Sequence, residues 1–127
     1  MLAGQREMER IRDDLRALSG EITSHRRAEI ATYLRTCPIV IALMEYSRDV
    51  LDGAFGVSGG SAIHTDGLYY WRRDAADYVG RYGVGLPREF LERGDKLSWL
   101  PPSISKEEIL DIDDYLVEHV RRLGPTK

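Results

Sequence analysis

The sequence predicts an α+β fold: a small antiparallel sheet covered by helices, in a single domain spanning residues 1–127. Three observations carry this. Asp66-Gly67 stands between two short runs, "SAIHT" and "LYYWR", which is the composition of a β-hairpin turn. A β-branched and aromatic run, "IVIALMEY", precedes it at 39–46. Stretches with apolar residues three and four apart flank this centre on both sides.

The first such stretch is an amphipathic helix at about 5–18, with Met8, Ile11, Leu15 and Leu18 in one stripe and Ser19-Gly20 as its stop. It packs on its own domain or, in a second reading, against another copy of the chain. A helix capped by Thr23 or Ser24 runs to Thr36, with Ile30, Ala31, Tyr33 and Leu34 inward. Cys37-Pro38 ends it, because proline disfavours the helical region for the residue before it. The 39–46 run reads as a central strand covered on both faces. Residues 47–60 hold four glycines and two aspartates and read as a long loop, extended at Val50-Leu51. A two-residue type I′ turn would pair Thr65 with Leu68, His64 with Tyr69, Ile63 with Tyr70 and Ala62 with Trp71. Ile63, Thr65, Leu68 and Tyr70 then share one face, and Ala62, His64, Tyr69 and Trp71 the other. Asp74 is a natural N-cap for "AADYVGRY", which Gly83 terminates. Val84 and Leu86 pack the return. Pro87 takes the first position of "REFLER", closed by Gly94, and Trp99-Leu100-Pro101-Pro102 forms a rigid turn. Ser105 and Glu108 make a capping box for a last helix reaching Leu123, with Ile109, Ile112, Leu116, Val120 and Leu123 on its core side and Gly124-Pro125 beyond it.

Charge and composition exclude several classes. Eighteen basic against 21 acidic side chains leave a net charge of −3, which argues against the basic footprint of a nucleic-acid binder. The longest apolar run, "IVIALM", falls far short of the about 20 residues a membrane span needs. The charged N-terminus lacks the apolar segment of a signal peptide. The single cysteine, Cys37, forms no intramolecular disulfide and is expected to be a small buried hydrophobe. These features together predict a cytoplasmic protein.

His64, Asp66 and Asp74 are the residues from which acid–base or metal chemistry could be built. Backbone geometry already accounts for two of them: Asp66 suits the turn and Asp74 the helix cap. His25 lies at a helix start and His119 in a last turn, where a cation suits the macrodipole. No zinc, phosphate-loop or nucleophile-elbow pattern occurs, and "GVSGG" precedes a strand rather than a helix. The expectation is a protein without catalytic residues, metal or cofactor. Binding explains more. Tyr69 and Trp71 on the hairpin are residue types enriched at interfaces. In the last helix Glu107, Glu108 and Asp111 suit the N-terminal dipole, whereas Asp113, Asp114 and Glu118 lie beyond the first turn. With Phe55 in the glycine-rich loop, these three form a charged rim for a basic partner, a class that includes toxins acting on nucleic acid.

Residues 65–90, "TDGLYYWRRDAADYVGRYGVGLPREF", contain T-D-G-x-Y-x-W, D-x-x-x-Y-V and Y-x-V-x-LP-x-E-F in succession. This pattern resembles one met in small uncharacterised bacterial proteins. Such small acidic proteins are similar in style to the immunity proteins of polymorphic toxin systems. The resemblance implies a protein-binding module that neutralises a toxin domain. Two other readings stand beside it: a small hydrolase-like enzyme centred on His64, and a homodimeric structural or regulatory protein joined through helix 5–18.

Overall fold

The central strand is the first arm of the Asp66-Gly67 hairpin. A computed structural model describes the backbone of residues 2–123 and the side chains of residues 9–118. The elements in order are α1 (Leu2–Leu18), α2 (Ser24–Thr36), β1 (Ile39–Ile41), β2 (Ser47–Arg48), β3 (Gly56–Val57), β4 (Ile63–Thr65), β5 (Tyr70–Arg72), α3 (Ala75–Tyr82), α4 (Arg88–Lys96) and α5 (Lys106–Leu123). One antiparallel sheet has the order β1-β4-β5, and β2 pairs with β3 in a second. This is an α+β fold.

The first correction concerns 39–46. Only Ile39–Ile41 form a strand, and it lies at the sheet edge rather than the centre. Its register with β4 slips between Ile39 and Ile41. Beyond that point the neighbouring chain is the Gly59-Gly60 turn, which offers one amide, Gly60 N–H to the Glu45 carbonyl at 3.0 Å. The run is therefore not covered on both faces, and Met44 is 91% exposed.

The second correction is the hairpin register. Thr65 pairs with Tyr70, His64 with Trp71 and Ile63 with Arg72, so four residues turn the chain instead of two. Only Gly67 has positive φ, at 98°, whereas a type I′ turn needs it at both central residues. Side chains explain the choice. The Asp66 carboxylate accepts the Leu68 and Tyr69 amides at 3.0 and 2.8 Å, and the Thr65 hydroxyl donates to the Tyr69 carbonyl at 2.6 Å. The slip is two residues, which moves Leu68 and Tyr69 into the turn but keeps the paired side chains on their expected faces; a slip of one would have inverted them all.

Helix α1 begins at Leu2 rather than at about residue 5, α4 differs at both ends, and α3 keeps its expected bounds but not its expected cap bond. Asp74 precedes α3 in helical conformation, and its carboxylate makes no cap bond. It instead takes two N–H groups from Arg72, at 3.1 and 2.8 Å. Pro87 is the N-cap of α4 rather than its first residue, and α4 continues through Gly94 to Lys96. Gly94 is small because Trp99 lies against it: a Cβ there would sit 2.1 Å from Cη2 of the indole. The 47–60 stretch is not one loop, since β2 and β3 lie at its two ends and Val50-Leu51 form the turn between them. The Ser105–Glu108 capping box forms as expected, with reciprocal bonds of 2.9 and 3.0 Å. Met8, His119, Val120, Leu123 and the Gly124-Pro125 stop lie outside the residues whose side chains are described.

The main core joins α2, α3, α4 and the inward hairpin face. Ile30, Tyr33 and Leu34 from α2 meet Ala76, Val79, Phe90 and Trp99, all nearly inaccessible. Each large apolar side chain so buried stabilises the fold by about 2 kcal/mol. Cys37 joins them, and burial pushes its thiol up to about 12, so it is an inert packing group. A smaller cluster of Leu51, Tyr78 and Val84, with Leu15 and Phe55 packed on it, lies beneath α1.

Candidate functional site

The hairpin divides the candidate chemistry between two faces. Its inward face carries a buried polar nexus. Asp66 is 1% exposed, and its second carboxylate oxygen accepts the Tyr33 hydroxyl at 2.7 Å and Arg93 Nε at 3.3 Å. Arg93 also donates to the Asp66 carbonyl at 3.1 Å. The Tyr33 phenol is pushed far above its usual range, first by burial and then by its bond to Asp66, so it remains a donor.

His64 is equally enclosed, at 1% exposure. Its Nδ1 lies 2.7 Å from the Cys37 carbonyl. A carbonyl only accepts, so Nδ1 carries the proton and Nε2 accepts from Arg73 Nη1 at 3.2 Å. Burial lowers the imidazole pKa, and with the smaller opposition of Arg73 to a second positive charge it outweighs the Cys37 carbonyl that favours protonation. His64 is therefore a neutral bridge between the end of α2 and Arg73, with both ring nitrogens engaged. Asp66, Asp74 and His64, which the sequence offers as an acid–base set, each have a different partner. Among the described residues, no three His, Cys, Asp or Glu side chains converge as a metal site would require.

Tyr69 and Trp71, expected at a partner surface, are both half-buried; Trp71 lies on the inward face, and Tyr69, a turn residue packed on the core, also borders the hollow between hairpin and α5. Their rings lie 5.2 and 5.6 Å from Phe90, and Trp71 Nε1 donates to the Leu34 carbonyl at 2.8 Å. Phe55 is also half-buried, edge-on to Tyr78 at 5.0 Å. These three are packing residues first.

No family model, curated protein or solved structure matches this chain. The site must be read from its own geometry.

The outward face offers what the inward one does not. Leu68 and Tyr70 are 67% and 48% exposed, and Tyr115 of α5 is 61% exposed. With Thr65, Asp111 and Ile112 they line a shallow hollow of about 350 Å³ between hairpin and helix. Asp114 and Glu118 are exposed on α5, and Asp113 is half-buried. The structure thus brings the acidic helix beside the hairpin rather than beside the 47–60 segment. Leu68 and Tyr70 were legible as one hairpin face, but sequence alone did not say which face was outward. Tyr115 precedes the core residue Leu116, and nothing in the α5 pattern marks it as a neighbour of the hairpin.

Helix α1 is fastened to its own chain. Arg12 Nε and Arg16 Nη2 donate to the carbonyls of Val50 and Leu51 at 2.9 and 3.2 Å. Ile11 and Leu18 stay partly exposed along its stripe. No described helix is long and apolar enough to cross a membrane.

Proposed function

We propose that this chain is a non-catalytic protein-binding module whose contact face is the hollow between the hairpin and α5. The observation that carries this reading is the grouping of Leu68, Tyr70 and Tyr115, all large and exposed, beside the carboxylate of Asp111, with the exposed Asp114 three positions further along α5. Apolar contact with a charged rim is the usual anatomy of an interface, and the acidic rim selects a basic partner. The enclosure of His64 supports this choice over a His64-centred hydrolase, which needs an imidazole that substrate can reach.

The finer reading is an immunity-type inhibitor that covers a basic toxin domain. It draws on the resemblance of residues 65–90, and the geometry refines what that resemblance means. Thr65, Asp66 and Gly67 build the turn, Asp74 holds Arg72, the Tyr78 hydroxyl receives the Val50 amide, and Phe90 is core. The pattern marks an architecture, and recognition falls to Leu68, Tyr70 and α5.

The test pairs the chain with a toxin domain encoded beside its gene. Co-expression should restore growth. Tyr70→Ala should weaken binding by about 2 kcal/mol with little change in melting temperature. The Asp114→Lys, Glu118→Lys double variant should associate more slowly and with a flatter dependence on ionic strength. Failure to restore growth sinks the immunity reading. Coincident association curves, with Tyr70→Ala binding as tightly as wild type, sink the proposed face.

A further inference from the structure

A second cavity lies under α1, lined by residues other than those of the hairpin–α5 hollow. Its volume is about 560 Å³, within the usual range for small-molecule sites. Ile11 and Leu15 of α1 form one wall, and Tyr78, Val79, Val84 and Leu86 form the floor and the facing wall. Water gains little from such a lining, so an apolar occupant is favoured.

The polar groups of the cleft are few and grouped. Arg72 uses Nε and Nη2 on Asp74, leaving its Nη1 amino group for a further acceptor. Ser47 also lines the cleft, but its Oγ is enclosed against Gly60, where a Cβ would sit 1.8 Å from it, so the hydroxyl is turned away from an occupant. Arg48 completes the ionisable lining, giving two positive charges against Asp74. On the α1 side, Arg12 and Arg16 rest on backbone carbonyls. Asp52 is 3.9 Å from Arg16, and the charge of Glu45 reaches Arg72. Around the cleft the four arginines are thus matched by four carboxylates, the fourth being Asp49, whose charge is held by the Leu51 and Ala54 amides and the Tyr82 hydroxyl. The cleft lining itself, with Arg48 and Arg72 against Asp74, keeps one excess positive charge.

We propose that this cleft binds a small anionic amphiphile, a carboxylate on an apolar body of on the order of ten carbons. The body lies between α1 and α3. The carboxylate meets Arg72 Nη1, and the charge of Arg48 on the same lining favours it. This site is independent of the hairpin–α5 face, and its success or failure leaves the protein-binding reading untouched.

The probes are decanoate, decanol and decylamine below their aggregation limits, followed by calorimetry and by amide NMR shifts. Decanoate should bind at one site, with a dissociation constant below about 1 mM, and at least about tenfold more tightly than decanol. The shifts should centre on residues 11–15 and 78–86. Arg72→Gln should reduce decanoate to the level of the alcohol. Ile11→Trp, at a position already 45% exposed, should block the mouth and abolish binding without disturbing the fold. Equal binding of acid and alcohol, a preference for the amine, binding that survives Ile11→Trp, or no saturable binding would each overturn the proposal. If Arg72→Gln fails to fold, the wild-type ligand series and Ile11→Trp decide alone.

Discussion

Asp66 and Asp49 solve one problem in two places. Each is a buried aspartate at the head of a turn joining two strands. Each accepts the amide two residues on and a second amide further along: Leu68 and Tyr69 for Asp66, Leu51 and Ala54 for Asp49. Each also accepts a tyrosine hydroxyl from a helix, Tyr33 of α2 or Tyr82 of α3. A turn aspartate thus serves as a rivet that fixes a hairpin to a helix. The two differ in charge balance. Asp66 is joined by Arg93, whereas the groups bonded to Asp49 are neutral. For Asp49, burial opposes ionisation, but the bonds from Tyr82, Ala54 and Leu51 together hold the carboxyl below its ordinary value. Backbone amides and a phenol therefore suffice for a buried carboxylate. The arginine at Asp66 adds a link to α4, and with it a liability.

That liability predicts the largest effect. Asp66→Ala leaves the Tyr33 hydroxyl and the Arg93 guanidinium without their acceptor and releases two turn amides. The expected loss is about 3 kcal/mol, the lower end for an orphaned buried charge, because the Arg93 side chain is 27% exposed and reaches water. Asp49→Ala orphans no cation and should cost about 1–2 kcal/mol. Urea denaturation of both variants measures the difference. Equal losses would mean that Arg93 contributes nothing beyond what Tyr82 supplies at the other turn, and the comparison would collapse to two equivalent rivets.

The same comparison explains what the sequence discloses. The Asp66 turn was legible because Asp-Gly between strand-forming runs is a local signal. So were the end of α2 at Cys37-Pro38 and the capping box that starts α5, each set within a few residues. The register was not legible, because the Asp66 and Thr65 side chains compete with the two-residue turn and win. The Asp49 turn was hidden, since its strands are two residues long and its tyrosine is 33 positions away. Arg93 was missed for the same reason, lying 27 positions from Asp66. Gly94 misled because a glycine near a helix end usually stops it, whereas here it makes room for Trp99. Tyr69 and Trp71 misled because residue types that anchor interfaces also anchor cores. Alternation sorted the hairpin into its two faces, but only tertiary packing decides which one meets the helices.

The smallest predicted effect separates the two turns by pH. His64 lies on the strand that leads into the Asp66 turn, and among the described residues no histidine is bonded to Asp49. Its imidazole pKa is lowered from 6.5 in the fold, chiefly by burial. The unfolded chain therefore binds a proton more readily than the folded one below that value. Stability contributed by the neutral ring is fully present above pH 6.5 and declines as pH falls toward the folded pKa. Protonation would also place a cation on Nε2 beside Arg73 Nη1, 3.2 Å away, which opposes it further. Asp49 acts in a separate window, since its depressed carboxyl contributes stability that is lost only as pH falls below the ordinary carboxylate range. His64→Gln, which keeps an amide donor for the Cys37 carbonyl, should therefore flatten the stability profile just below pH 6.5 and leave the steeper acid limb in place. Urea midpoints across pH 7.5 to 3.5 for wild type and variant measure this. If the two profiles run parallel below pH 6.5, His64 is not the titrating group, and the neutral bridge assigned to it is wrong.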